Sequence, residues 1–171
     1  RAVRIEEGPK LDGLVDEEFW LDVPAAKDFI QQNPDFGDSA NQQTEVRFVF
    51  DGETLFIGVI CFDEQPQEIV VSQTRRDGSL GEDDSIQIVL DTFKDQQNGY
   101  IFGTNPSGVQ YDGQVTKEGR SGGFSSPVSG GGGFGKNLPI GGAIGGFNLN
   151  WNGVWEVHSQ VTPRGWEAEI A

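Results

Sequence analysis

The chain has 171 residues, with 27 Asp and Glu against 12 Lys and Arg, a formal charge of −15. That balance argues against a nucleic-acid ligand, whose phosphates need clustered Lys and Arg, and against an anionic membrane surface. Hydrophobic residues at 35% suit one ordinary domain with a real core, and no apolar run approaches the ~18 residues of a membrane-spanning helix. No signal peptide is legible, and the chain opens at Arg1 with no Met anywhere, which reads as a processed or trimmed product.

In chain order, LDGLVDEEFW (11–20) predicts one short helix. Asp16 is placed to cap it, and Glu17 and Glu18 fill a first turn that favours carboxylates. Phe19 and Trp20 would then plug one end of the fold. From there the period is two. TEVRFVF (44–50) turns Val46, Phe48 and Phe50 to one face, and Asp51-Gly52 marks a tight turn. TLFIGVICF (54–62) is apolar on both faces, as in a central strand, and makes Cys61 a buried thiol behaving as a small hydrophobe. A single Cys excludes an internal disulfide. EIVVSQ (68–73) reads as a further strand. SIQIVLD (85–91) turns Ile86, Ile88 and Leu90 inward and Gln87 outward. GYIFGTN (99–105) and GVQYDGQVT (108–116) form a hairpin about Pro106-Ser107-Gly108. GVWEVHSQVT (153–162) and GWEAEIA (165–171) form another about Pro163-Arg164, with Trp155 and Trp166 as core residues. The pattern is an all-β, antiparallel β-sandwich of about eight strands with one short N-terminal helix.

Residues 121–147, SGGFSSPVSGGGGFGKNLPIGGAIGGF, break the period. Their composition is that of a Gly-rich insertion loop within one domain. Its apolar residues, Phe124, Val128, Phe134, Leu138, Ile140, Ile144 and Phe147, suggest docking on the sandwich or on another chain.

The stretch DGSLGEDDSIQIVLD (77–91) crowds carboxylates against a strand mouth. Calcium takes six to eight oxygens, and Asp63, Asp77, Glu82 and Asp83, with Asp84 beside them, would supply several if the loop 63–84 folded back. The spacing matches no EF-hand. The other reading is a polar loop neutralised by Arg75 and Arg76. A ligand rim is drawn from Arg75, Arg76, Asp84, Gln87, Asn105, Tyr111 and Trp151, because sugars need an aromatic face and aimed polar groups. Trp151, in NLNWNG, is the aromatic set among the most polar neighbours. No carboxylate pair stands out as hydrolysis of a glycoside would require, His158 reads as a surface strand residue, and the ligands of zinc or iron sites are lacking. No enzyme activity is expected.

LDGLVDEEFW, TEVRFVFDGETLFIGVICFD, DDSIQIVLD, NGYIFGTNPSGVQYDG and WNGVWEVHSQVTPRGWEAEIA together resemble, in order, the family 9 carbohydrate-binding modules. The likeness extends to the module-like N-terminal domain of bacterial envelope proteins that continue into a predicted outer-membrane barrel. It covers the chain apart from the Gly-rich insertion. The resemblance implies a β-sandwich that binds a glycan or polysaccharide, a structural calcium, and an extracellular or periplasmic place in the cell envelope. Departing from the family pattern, the position of a sugar-clamping aromatic falls near Gly81, Gln87 takes the place of a Glu, and Gly103 takes that of an Arg. The family also runs past residue 171, so residues 1–171 read as one domain lacking its final strands. An edge left open beyond 165–171 would recruit a strand from another copy or from a downstream domain, which frames the alternative role: a structural subunit of a surface assembly or fibre.

Overall fold

The computed structural model describes residues 1–31, 34–116 and 146–171. These are almost wholly strand, turn and extended chain, an all-β fold of two sheets. Among them no helix is long and apolar enough to cross a membrane. They gather into two compact units.

The first unit comprises Arg1–Ile69, Pro106–Gly108 and Trp155–Ala171. Its strands are β1 (Val3–Arg4), β2 (Thr44–Phe50), β3 (Leu55–Phe62), β8 (Val157–Thr162) and β9 (Gly165–Ile170), in the sheet order β1-β2-β3-β9-β8. All pairs are antiparallel except β1, which runs parallel to β2 with Val3 opposite Val49. Two residues of strand without alternation gave no signal for β1. The β2–β3 turn is built on Asp51, whose Oδ1 accepts the N–H groups of Glu53 and Thr54, both at 2.9 Å. Those backbone bonds hold the Asp51 carboxyl below its ordinary range.

Two-residue alternation sorts this sheet into two apolar faces. One carries Val46, Ile57, Val59, Val157, Trp166, Ala168 and Ile170, all buried. The other carries Val49, Phe56 and Ile60, and the N-terminal segment covers it with Val15, Trp20 and Val23. Trp20 is 2% exposed and seated over Gly58, where a Cβ would come within 3.2 Å of the indole. Burying an indole removes 150–250 Å², worth at most about 4–6 kcal/mol. Trp20 therefore packs on a sheet face; the expectation of an end plug is corrected.

The expected short helix is present, as a 3-10 helix, Glu18–Asp22; its cap is corrected, since the N-cap is Glu17 rather than Asp16 and lacks a side-chain capping bond. Glu17 instead accepts the Trp20 indole N–H at 3.0 Å and the Lys10 N–H at 2.9 Å. The segment serves to seat Trp20, and one tight turn suffices.

β9 is an interior strand, paired with β3 on one side and β8 on the other. The open edge expected beyond 165–171 is therefore not at β9; in this sheet the lateral strands are β1 and β8. The β8–β9 hairpin demands glycine at position 165: its φ is +136°, and a Cβ there would lie 2.0 Å from the Cys61 carbonyl oxygen. Cys61 and Trp155 are half-buried rather than fully buried, and Trp166 is buried as expected.

The second unit comprises Val70–Asn105 and Val109–Val154. Its sheet is β4 (Ile86–Leu90), β5 (Gly99–Thr104), β6 (Tyr111–Thr116) and β7 (Gly146–Asn148), in that order and antiparallel throughout. Residues 117–145, most of the predicted insertion, lie outside the described residues. Strand pairing resumes at Gly146, opposite Thr116, before the insertion's expected end at 147. The strand expected at 68–73 is absent: a 3-10 turn, Pro66–Glu68, precedes extended chain that pairs with no strand.

Candidate ligand site on the four-stranded sheet

Where the donors of 70–73 go explains both the missing strand and the acidic stretch. The Val70 N–H donates to Asp84 Oδ2 at 2.6 Å, and the Asp84 N–H returns a bond to the Val70 carbonyl at 3.2 Å. The Ser72 N–H donates to Asp83 Oδ1 at 2.9 Å, joined by the Ser72 hydroxyl, and the Gln73 N–H donates to Asp83 Oδ2 at 2.9 Å. The carboxylates thus stand in for a partner strand. Asn105, fully buried, closes the arrangement: its Nδ2 donates to Asp83 Oδ2 and to the Gln73 carbonyl, both at 2.7 Å. Burial pushes the Asp83 carboxyl up, but the bonds from Ser72, Gln73 and Asn105 outweigh it and hold the group below its ordinary value.

Three of the four carboxylates proposed for calcium accept hydrogen bonds within the protein. Asp63, in the first unit, accepts the Gln65 N–H at 2.6 Å. Asp77 accepts the Asp112 N–H at 3.4 Å and lies 3.7 Å from the Arg76 guanidinium. Asp83 is the bracket just described, and Glu82 is exposed. Among the described residues no three His, Cys, Asp or Glu side chains gather as a metal site.

The register divides the ligand rim between the two faces of the sheet. Gln87, Gly103 and Tyr111 are cross-strand neighbours on one face. There Leu80, 1% exposed, folds over Gly103, and a Cβ at that glycine would come within 3.2 Å of both Leu80 and Tyr111. Leu80, Ile101, Val109 and Tyr111 form a buried apolar cluster. Burial, together with the charge of Asp77, pushes the Tyr111 hydroxyl above its ordinary pKa.

Tyr100 and Phe102 point to the other face, in register with Gln114 and Asp112. Trp151 packs on them, its ring centroid 4.5 Å from Tyr100 and 6.0 Å from Phe102, the latter edge-on at 78°. Asp112 is fully buried. Its Oδ1 takes the Arg76 guanidinium at 2.8 Å and its Oδ2 the Gly153 N–H at 2.6 Å, tying down the turn that carries Trp151. Arg76, 40% exposed, also donates to Gln110 Oε1 at 2.6 Å.

Of the predicted ligand residues, Arg76 and Trp151 therefore share one patch. Gln87 and Tyr111 share the opposite face. Asp84 and Asn105 are scaffold, and Arg75 is exposed with its N–H on Gln73 Oε1 at 3.1 Å. Sequence reasoning missed Asp112, Gln110, Tyr100 and Phe102. The alternation in GYIFGTN and GVQYDGQVT held the signal, since it sets Phe102 and Asp112 on one face.

No protein-family model matches the chain, and no curated protein matches it. Among solved structures the fold is similar to a family 9 carbohydrate-binding module from Caldicellulosiruptor kristjanssonii, determined in complex with cellotriose. The TM-score is 0.53 at 14% identity, over 99% of this chain and 66% of that one. The likeness shows the fold class, the all-β sandwich of such modules.

Proposed function

We propose that this chain is a non-catalytic carbohydrate-binding-like module that holds a glycan. The observation that carries the reading is the fold likeness, across nearly the whole chain, to a module solved with a bound cello-oligosaccharide. Trp151 is the group best suited to a sugar ring: a partly exposed indole, backed by Tyr100 and Phe102, offers the flat apolar surface that sugar C–H groups favour. Arg76, held by Asp112, and Gln110, which Arg76 in turn engages, offer aimed polar groups. The Gln87 face is a weaker candidate, because Leu80 fills the space over Gly103. The family resemblance supports a place for the module in the cell envelope or exterior.

The test is a glycan array followed by calorimetric titration with the oligosaccharides it returns. Binding that Trp151→Ala weakens at least tenfold supports the reading. Absence of binding to every glycan at millimolar concentration overturns it.

A further inference from the structure

We propose that Glu169 is a proton-controlled latch for the N-terminal segment 10–15. Glu169 lies on β9 and is fully buried. Its Oε2 accepts the N–H groups of Asp12 at 2.9 Å and Gly13 at 3.1 Å, while its Oε1 is buried without a hydrogen-bond partner. Two residues along the strand, Glu167 Oε2 accepts the Val15 N–H at 3.1 Å, and on β8 the Gln160 side chain donates to the Asp12 carbonyl at 2.7 Å. Gly13 is pressed so close that a Cβ would lie 2.9 Å from the Ser159 backbone. The segment is thus fastened to β8 and β9 largely through carboxylates, and the Asp12 and Gly13 N–H groups depend on one oxygen of Glu169.

The two ionisation states of Glu169 are not equivalent here. Ionised, it places charge on an oxygen that no donor meets, in a buried site. Protonated, it removes that charge and leaves Oε2 free to accept both N–H groups. The surrounding charges are Lys10 and Asp12 on the segment, Glu17 just beyond it, His158 opposite Glu169 on β8, Glu167 on its own strand, and Arg47 on β2 beyond Gly58. Arg47 bonds Glu45 at 2.7 Å through Nη2 while its Nε and Nη1 are buried without a partner, Arg164 bonds Glu167 at 2.6 Å, and Lys10 bonds Asp12 at 2.9 Å; among the described residues Glu169 forms no ion pair. Desolvation first, and the charges of Glu17 and Asp12 after it, push the Glu169 carboxyl up to about 7 against the two N–H bonds that favour its ionised form. A carboxyl raised by folding supports the fold fully below its unfolded value of 4.5, and that support is lost as pH rises through about 7. The segment is therefore held in mild acid and loosened above neutrality.

Hydrogen exchange of amides 10–16, corrected for intrinsic rates, tests this between pH 5.5 and 8.5. We expect protection to fall at least tenfold with a midpoint near 7. Glu169→Gln should flatten the profile. His158→Gln should keep it, since histidine is the other side chain that ordinarily changes charge in this range. A flat wild-type profile, a transition that survives Glu169→Gln, or one that vanishes in His158→Gln would overturn the latch. Carbon-13 titration of the wild-type Glu169 carboxyl decides the matter if Glu169→Gln fails to fold: a midpoint above about 5.5 supports the latch, and one at or below it overturns it.

Discussion

Asn105 and Asp83, 22 residues apart, are joined by a hydrogen bond of 2.7 Å, Nδ2 to Oδ2, in the second unit. Through that bond the end of β5 grips the loop whose carboxylates organise 70–73. Removing Asp83 strands the Ser72 and Gln73 N–H groups and one arm of Asn105 at once. We expect Asp83→Ala to lower stability by about 2–4 kcal/mol in urea unfolding. Asn105→Ala should be strongly non-additive with it, since the two share a network.

The same aspartate predicts a response to acid. Folding lowers the Asp83 carboxyl below its ordinary 3.8. Its contribution is therefore present above 3.8 and lost as pH falls through the lower folded value. Asp83→Asn should show a shallower loss of stability between about pH 4 and 2 than the parent, followed by fluorescence-detected unfolding.

Asp112 bears a buried charge whose two oxygens are both engaged, by Arg76 and by the Gly153 N–H. Arg76→Ala leaves the fully buried Asp112 carboxylate with the Gly153 N–H but without its guanidinium, and should cost about 3–5 kcal/mol. Arg76 is 40% exposed, so in Asp112→Ala water can receive the guanidinium; that variant should cost less than Arg76→Ala in the same denaturation series.

Gly165→Ala tests the β8–β9 hairpin. The added Cβ meets the Cys61 carbonyl oxygen, which belongs to the central strand β3 and cannot swing aside as a side-chain tip would. We expect at least about 3 kcal/mol of destabilisation, or failure to fold, read by circular dichroism.

Calcium offers a further comparison. The oxygens of Asp83 are occupied by protein donors, and Asp63 and Asp77 each accept the backbone N–H of another residue. Chelator should leave the melting temperature within about 1 °C of its value in millimolar calcium, since an ion that binds only the native state must raise it.

Strand existence was legible because β2, β5, β6, β8 and β9 all carry alternation that their faces use. What the sequence could not show was who accepts the hydrogen bonds. EIVVSQ has strand-like residues, yet its donors end on Asp83 and Asp84, and no periodicity encodes an acceptor that lies on another segment. The interior place of β9 was not legible because its pairing with β3 links residues about a hundred positions apart, for example Ile57 with Ile170. The ligand rim failed for a different reason. Parity along single strands was correct for Gln87 and Tyr111, but Arg76 and Trp151 sit on loops, where parity has no meaning, and both were drawn to Asp112 on the opposite face.

The most direct test of the account is calorimetric titration of the intact chain with cello-oligosaccharides and with the leading glycans of an array. The account predicts saturable binding that Trp151→Ala weakens at least tenfold while the melting temperature of that variant shows it folded. Saturable binding indifferent to Trp151 would move the site away from the Tyr100–Phe102 patch, and heats of dilution alone for every sugar at millimolar concentration would contradict the carbohydrate reading itself.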